Sequence, residues 1–164
     1  MGVWSARQVW REMPRTLREQ AALALWTDEQ LDRTARLSAL LPWLNARGLR
    51  MQYLEKLARS RRAVLMAQGG VPEETASQLL ISFHLVHRRE LLSAFLDNLK
   101  IPHEGGLIDT EEEIDPPDAK QVKKAIGALR KKFPEGEVEL YLRTLTATDA
   151  HVFAAVAEHV EGPD

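Results

Sequence analysis

The chain has no cysteine at all. That excludes a disulfide framework, a thiolate nucleophile and every cysteine-ligated zinc or iron–sulfur centre, and it suits a reducing compartment. Long apolar runs are missing too. Nowhere do about 18 apolar residues follow one another, so no membrane span is expected. The N-terminal stretch "MGVWSARQVWREMPR" is broken up by arginines and lacks the apolar core of a signal peptide, which points to a cytoplasmic protein. Catalytic signatures are equally scarce. No Lys-Ser/Thr follows Gly105-Gly106, as a phosphate loop requires, and positions 109–115 lack the residue order of a calcium loop. No serine stands in a nucleophile-elbow context. His103-Glu104 runs into two glycines rather than into the second histidine of a zinc-protease helix. No cofactor is implied, and enzymatic activity stays open.

What is present is helical spacing. The chain has 164 residues, 45% of them apolar and 28% charged, which fits one globular domain. Leu17, Ala21, Ala24 and Leu25 make one amphipathic stripe after Pro14, and Thr27 with Gln30 reads as a capping box for a following helix. That helix carries Leu31, Ala35, Leu37 and Leu41 until Pro42 ends or kinks it, and a short turn follows as far as Gly48. Shorter helices are expected over 49–59 and 61–68, and Pro72 opens the longest, to about residue 100. Residues 103–118, with seven carboxylates and no cation, read as an acidic loop. Further helices follow Pro117, Pro134 and Asp149. Alternating β-branched runs and fixed-period repeats are absent. The expected architecture is all-α: an N-terminal arm over 1–13, then a single helical domain over 14–160. Within it, a compact bundle of seven to nine helices surrounds the long central helix 73–100.

Two titratable groups stand out on that helix. In "FHLVHRREL", residues 83–91, His84 and His87 sit three apart in an apolar run, with Arg88 next to them. Wound at about 100° per residue, all three fall within the apolar sector of the helix. Burial is therefore expected for both imidazoles, and a buried Arg88 needs a carboxylate, since a guanidinium does not shed its proton. The acidic loop is the expected source, through Glu104, Asp109 and residues 111–113. A polar cluster of His84, His87, Arg88, His103, Glu104 and Asp109 results. Its plain meaning is structural. The alternative is a small-molecule or metal-binding site, hydrolytic in one version, built on His84, His87 and Arg88 with the His103-Glu104 loop; His84, His87 and Glu104 would be the metal ligands.

Charge is uneven along the chain. Residues 1–103 carry 15 Lys+Arg against 10 Asp+Glu, and residues 104–164 carry 7 against 14. Basic runs occur at 58–62 and over 120–132, but the net charge of −2 argues against a nucleic-acid partner. All four tryptophans lie in the first quarter, and Trp4 and Trp10 precede the first clear amphipathic helix. Most indoles are expected in the core, since each contributes a large buried area, but an arm carrying Trp4 and Trp10 can anchor on a neighbouring subunit or on another protein.

The stretch "HLVHRRELLSAFLDNLKIPHEGGLI" resembles one found in small, uncharacterised bacterial all-helical proteins, in which a His-x-x-His helix runs into Phe-Leu-Asp and then a His-Glu-x-Gly-Leu-Ile turn. It draws attention to His84, His87, Phe95, Leu96, Asp97, His103, Glu104, Gly106, Leu107 and Ile108. The resemblance implies a bacterial origin and a helical fold, and carries no activity with it. Together these observations lead to the expectation of a non-enzymatic cytoplasmic interaction or scaffold protein, acting on a protein partner or on itself.

Overall fold

The computed structural model describes residues 3–108 and 114–163. The chain is all-α, with no strand among the described residues. Its contacts gather into two compact units, residues 6–87 and residues 88–164 together with 1–5, where a single domain over 14–160 was expected. Each has its own core.

The first unit holds α1 (Ala6–Glu12), α2 (Arg15–Thr27), α3 (Arg33–Arg47), α4 (Met51–Glu55), α5 (Arg59–Ala67) and α6 (Glu73–His87). Helix α2 packs on α5 and α6, and α1 and α3 pack on α6. Ala21, Ala22 and Ala24 are fully buried and let α2 approach its neighbours closely, while Trp10, Trp43, Leu79, Leu80 and Phe83 fill the space around them. The ends of the helices are tied across the unit. Glu73 accepts from the backbone N–H groups of Ala6 and Arg7 at 2.7 and 3.1 Å, satisfying two orphan donors at the start of α1. Thr75, completely buried, donates to the Ala39 carbonyl at 2.6 Å.

One local expectation is corrected here, and of the two outcomes open at Pro42 one is removed, since the helix does not end there. Thr27 ends α2, its hydroxyl turned back towards the Leu23 and Ala24 carbonyls. The cap of α3 is Asp32, which accepts from Ala35 N at 2.7 Å, because a carboxylate placed three residues before a free N–H is the better-positioned acceptor. Helix α3 also continues through Pro42 to Arg47. Burial of Leu40, Trp43 and Leu44 outweighs the hydrogen bond that proline removes. Gly48 stops it as expected, with φ +65 and bonds from its own N–H to Asn45 O and from Leu49 N–H to Leu44 O.

The second unit holds α7 (Arg89–Asn98), α8 (Ala119–Lys132), α9 (Glu135–Thr148) and a 3-10 helix over Ala154–His159. Phe95 is its hub, edge-on to Tyr141 at 5.5 Å and tilted against Phe153 at 5.9 Å. Asp118 and Gln121 form a reciprocal capping box at the start of α8. Burial pushes the Tyr141 hydroxyl well above the ordinary phenol range, and the nearby Asp149 carboxylate adds to it.

The long central helix over 73–100 is not continuous. Arg88 leaves helical geometry (φ −129, ψ 29), and its carbonyl starts α7 by accepting from Leu92 N at 3.1 Å. The wide apolar arc seen in the sequence belongs to two helices with separate faces: α6 buries Leu79, Leu80 and Phe83, and α7 buries Leu91, Leu92, Phe95 and Leu96. The expected arm over 1–13 is likewise corrected, since Ala6–Glu12 form α1 and pack on α6.

Candidate functional site

Of the two central histidines only His84 is buried, at 2% exposure. Its Nδ1–H donates to the Leu80 carbonyl at 2.8 Å, one turn back on α6, and its ring meets the Phe83 edge. His87 is exposed, its ring tilted against Phe83 at 5.6 Å. The expectation that both are buried fails because α6 ends at His87: without a following turn, no apolar face continues around it. Arg88 does reach a carboxylate, Glu137 on α9, at 3.6 Å. Asp109 and residues 111–113 lie outside the described residues.

His84 and His87 belong to the first unit, whereas Arg88, His103 and Glu104 belong to the second. Among the described residues no group of three or more His, Asp or Glu side chains is arranged to hold a metal ion, so His84, His87 and Glu104 do not form the alternative ligand set. Trp4 and Trp10 are corrected as well. Both are buried, at 7% and 0% exposure. The Trp4 indole N–H donates to Glu161 O under the Arg143 guanidinium, and that of Trp10 donates to Gly69 O at 3.3 Å. An indole buries so much apolar area that even near a chain end it is drawn into a core.

The His103 loop has more internal order than its sequence suggested. Helix α7 ends with Lys100 in the left-handed region (φ 57), its N–H bonded to Asp97 O, while Ile101 N–H reaches Leu96 O. The chain then turns back through Glu104–Leu107, whose backbones exchange hydrogen bonds of 2.9 and 3.0 Å around Gly105 (φ +58) and Gly106 (φ +92). Two successive positive φ values make this a primed turn that favours glycine. At Gly106 a Cβ would also lie 2.8 Å from Leu92 Cβ. This turn aims the Gly106 N–H at His103 Nδ1, 3.0 Å away. With Nδ1 accepting, the neutral ring carries its proton on Nε2, which donates to Asp97 Oδ1 at 2.7 Å. Asp97, His103 and Gly106 are thus one connected unit.

Two open clefts lie beside these elements. In the second unit a cleft of about 360 Å³ separates α7 from α8, with Asp97 on one wall and Lys132 on the other. In the first unit a groove of about 400 Å³ runs between α4 and α5. Its apolar lining is Tyr53, Leu57, Val64 and Leu65, with Arg61 at its edge and Tyr53 half exposed at 50%. Helix α5 has two apolar faces. Ala63, Met66 and Ala67 are buried, while Val64 and Leu65, displaced around the helix, are only half-buried. Sequence reasoning missed this groove. The signal was there: "AVLMA" (63–67) is apolar over too wide an arc for a helix packed on one side.

The basic run beside the groove divides by role. Arg62 is committed to the fold, donating to Leu57 O at 2.9 Å and Glu55 O at 2.8 Å, with its guanidinium 4.5 Å from the centre of the Trp26 ring. Arg50, Lys56, Arg59 and Arg61 are exposed. Over 50–62 they face a single acidic residue, Glu55.

Compared with protein-family models, curated proteins and solved structures, the chain gives no match. The resemblance over residues 83–108 therefore rests on its own residues. None of the helices is long and apolar enough to cross a membrane, among the described residues.

Proposed function

We propose that this chain is a non-enzymatic interaction module that receives an acidic, amphipathic helix from a protein partner. The observation that carries this reading is the α4–α5 groove, mostly apolar in its lining, with a half-exposed tyrosine and Arg61 beside it. A helix laid in such a groove anchors through apolar residues at positions i, i+4 and i+7. Aromatic residues such as Tyr53 dominate the energetics of such contacts. The exposed Arg50, Lys56, Arg59 and Arg61 supply the complementary charge, which favours an acidic segment and speeds its approach. Apolar side chains form most of the lining and one aromatic is exposed, so the groove suits a peptide better than a stack of nucleobases.

Selection of displayed helical peptides on the purified protein tests this reading. Enriched sequences should pair apolar residues at helical spacing with carboxylates, should lose binding on Tyr53→Ala, and should weaken on Arg61→Glu and in high salt. Enrichment of basic or patternless sequences, or equal binding to the Tyr53→Ala protein, would overturn the proposal. So would a single-stranded oligonucleotide that displaces the selected peptides.

A further inference from the structure

A second site rests on observations independent of the peptide groove. We propose that the cleft between α7 and α8 binds a free amino acid, with Asp97 receiving its ammonium group and Lys132 its carboxylate.

The cleft has two walls of different chemistry. Helix α7 contributes Ala94, Asp97 and Asn98, and the end of α8 contributes Ala128, Leu129 and Lys132, closed by Phe133. Its volume, about 360 Å³, is at the small end of the range for small-molecule sites. Leu129 is buried beneath it, and Ala94, Ala128 and Phe133 are half-buried, so the floor is apolar. The charged groups stand at the rim. No ion pair joins Asp97 to Lys132: Asp97 pairs with His103, and the Lys132 ammonium lies 5.4 Å from the Phe133 ring centre. A carboxylate and an ammonium on opposite walls, unspent on each other, match a zwitterion of reversed polarity. The apolar floor between them takes an aliphatic side chain.

Asp97 is also held for the task. Its Oδ1 accepts from His103, whose tautomer is set by the Gly106 N–H, and this leaves Oδ2 to the ligand. Asn98 spends its amide N–H on Ala94 O at 2.7 Å, which leaves its Oδ1 as a further acceptor on the same wall. His103 is a positioning residue here. Its imidazole is largely covered, at 11% exposure, whereas the Asp97 carboxyl is 73% exposed. Three residues that the sequence resemblance singled out, Asp97, His103 and Gly106, therefore serve one purpose: they present a single oriented carboxylate to the cleft.

Calorimetric titration of the full chain with L-leucine, N-acetyl-L-leucine and L-leucinamide tests the proposal. Leucine should bind at least tenfold more tightly than either blocked form, because each lacks one of the two charges. Asp97→Asn should abolish the preference over N-acetyl-leucine, and Lys132→Met the preference over leucinamide. Both side chains are exposed, so these variants should keep the helical circular dichroism of the parent. His103→Gln, which retains an N–H donor, should preserve more of the leucine preference than His103→Phe. Absence of binding by leucine and by each of the other standard amino acids up to about 10 mM would overturn the proposal. Equal binding of leucine and both blocked forms would overturn it too. Tyr53→Ala should leave leucine binding unchanged, and Asp97→Asn should leave peptide selection unchanged, so failure of one site is distinguishable from failure of the other.

Discussion

The α4–α5 groove and the α7–α8 cleft are close in size and opposite in design. The α4–α5 groove is made by two short helices whose apolar residues are left over after the core is filled, with Arg61 in its lining. The α7–α8 cleft places a carboxylate and an ammonium on facing walls, and its carboxylate is oriented by a loop that returns through two left-handed glycines. The difference lies in what fixes each one. Helix faces alone define the first, so it tolerates backbone adjustment and suits a partner that repacks. The second depends on one backbone turn and one imidazole tautomer, which suits a small rigid ligand. Charge follows the same division. The unit with the groove carries 12 Lys+Arg against 8 Asp+Glu, and the unit with the cleft carries 10 against 16.

Disrupting the turn should break the comparison most clearly. Gly106→Ala combines a positive φ with a contact of 2.8 Å to Leu92 Cβ, and an expected loss of about 2–4 kcal/mol follows from strain plus overpacking. Urea unfolding measures the loss, and leucine binding should fall with it while peptide binding persists. A loss below about 0.5 kcal/mol would show that the turn is softer than its geometry implies.

The two tyrosines offer a second contrast, since Tyr53 stands half exposed in the groove and Tyr141 is buried beside Phe95. Burial holds the Tyr141 proton on in the folded state, while the unfolded chain releases it near pH 10. Stability should therefore be complete below about pH 10 and decline above it, by up to about 1.4 kcal/mol per pH unit. Tyr141→Phe should flatten that decline, and Tyr53→Phe should not. Unfolding midpoints measured across the alkaline range decide between them.

The smallest expected effect compares two helix ends. Both α3 and α7 close with the same pair of backbone bonds, but the left-handed position is Gly48 in one and Lys100 in the other. Lys100→Gly should stabilise the protein by about 1 kcal/mol, and Gly48→Ala should destabilise it by a similar amount. Thermal melting of the two single variants reads both signs.

The helices themselves were legible because their information is local. The stripes at 17–25, 122–133 and 138–145, the Gly48 stop and the punctuation by Pro14, Pro72 and Pro134 all emerge where periodicity and turn chemistry place them. The candidate site was legible only in part. His84 is buried as its helical position requires, whereas the turn over Glu104–Leu107 has no counterpart in the helical periodicity. His87 and Arg88 were misread because a helical projection assumes that the helix continues, and nothing in "VHRRE" marks Arg88 as the break. Trp4 and Trp10 were misread because sequence position does not reveal burial. The cation of the α7–α8 cleft escaped notice for another reason: Lys132 is one of six basic residues on α8, and no sequence property separates it from the other five.

By itself, then, the sequence determined the all-α class, the main amphipathic stripes and the absence of cysteine chemistry. These follow from interactions between residues a few positions apart. Which helix faces remain open, which carboxylate meets Arg88, and that Asp97, His103 and Gly106 form one connected unit were decided only by the tertiary structure. Those contacts depend on how packed helices and a returning loop share space, and no local pattern encodes that choice.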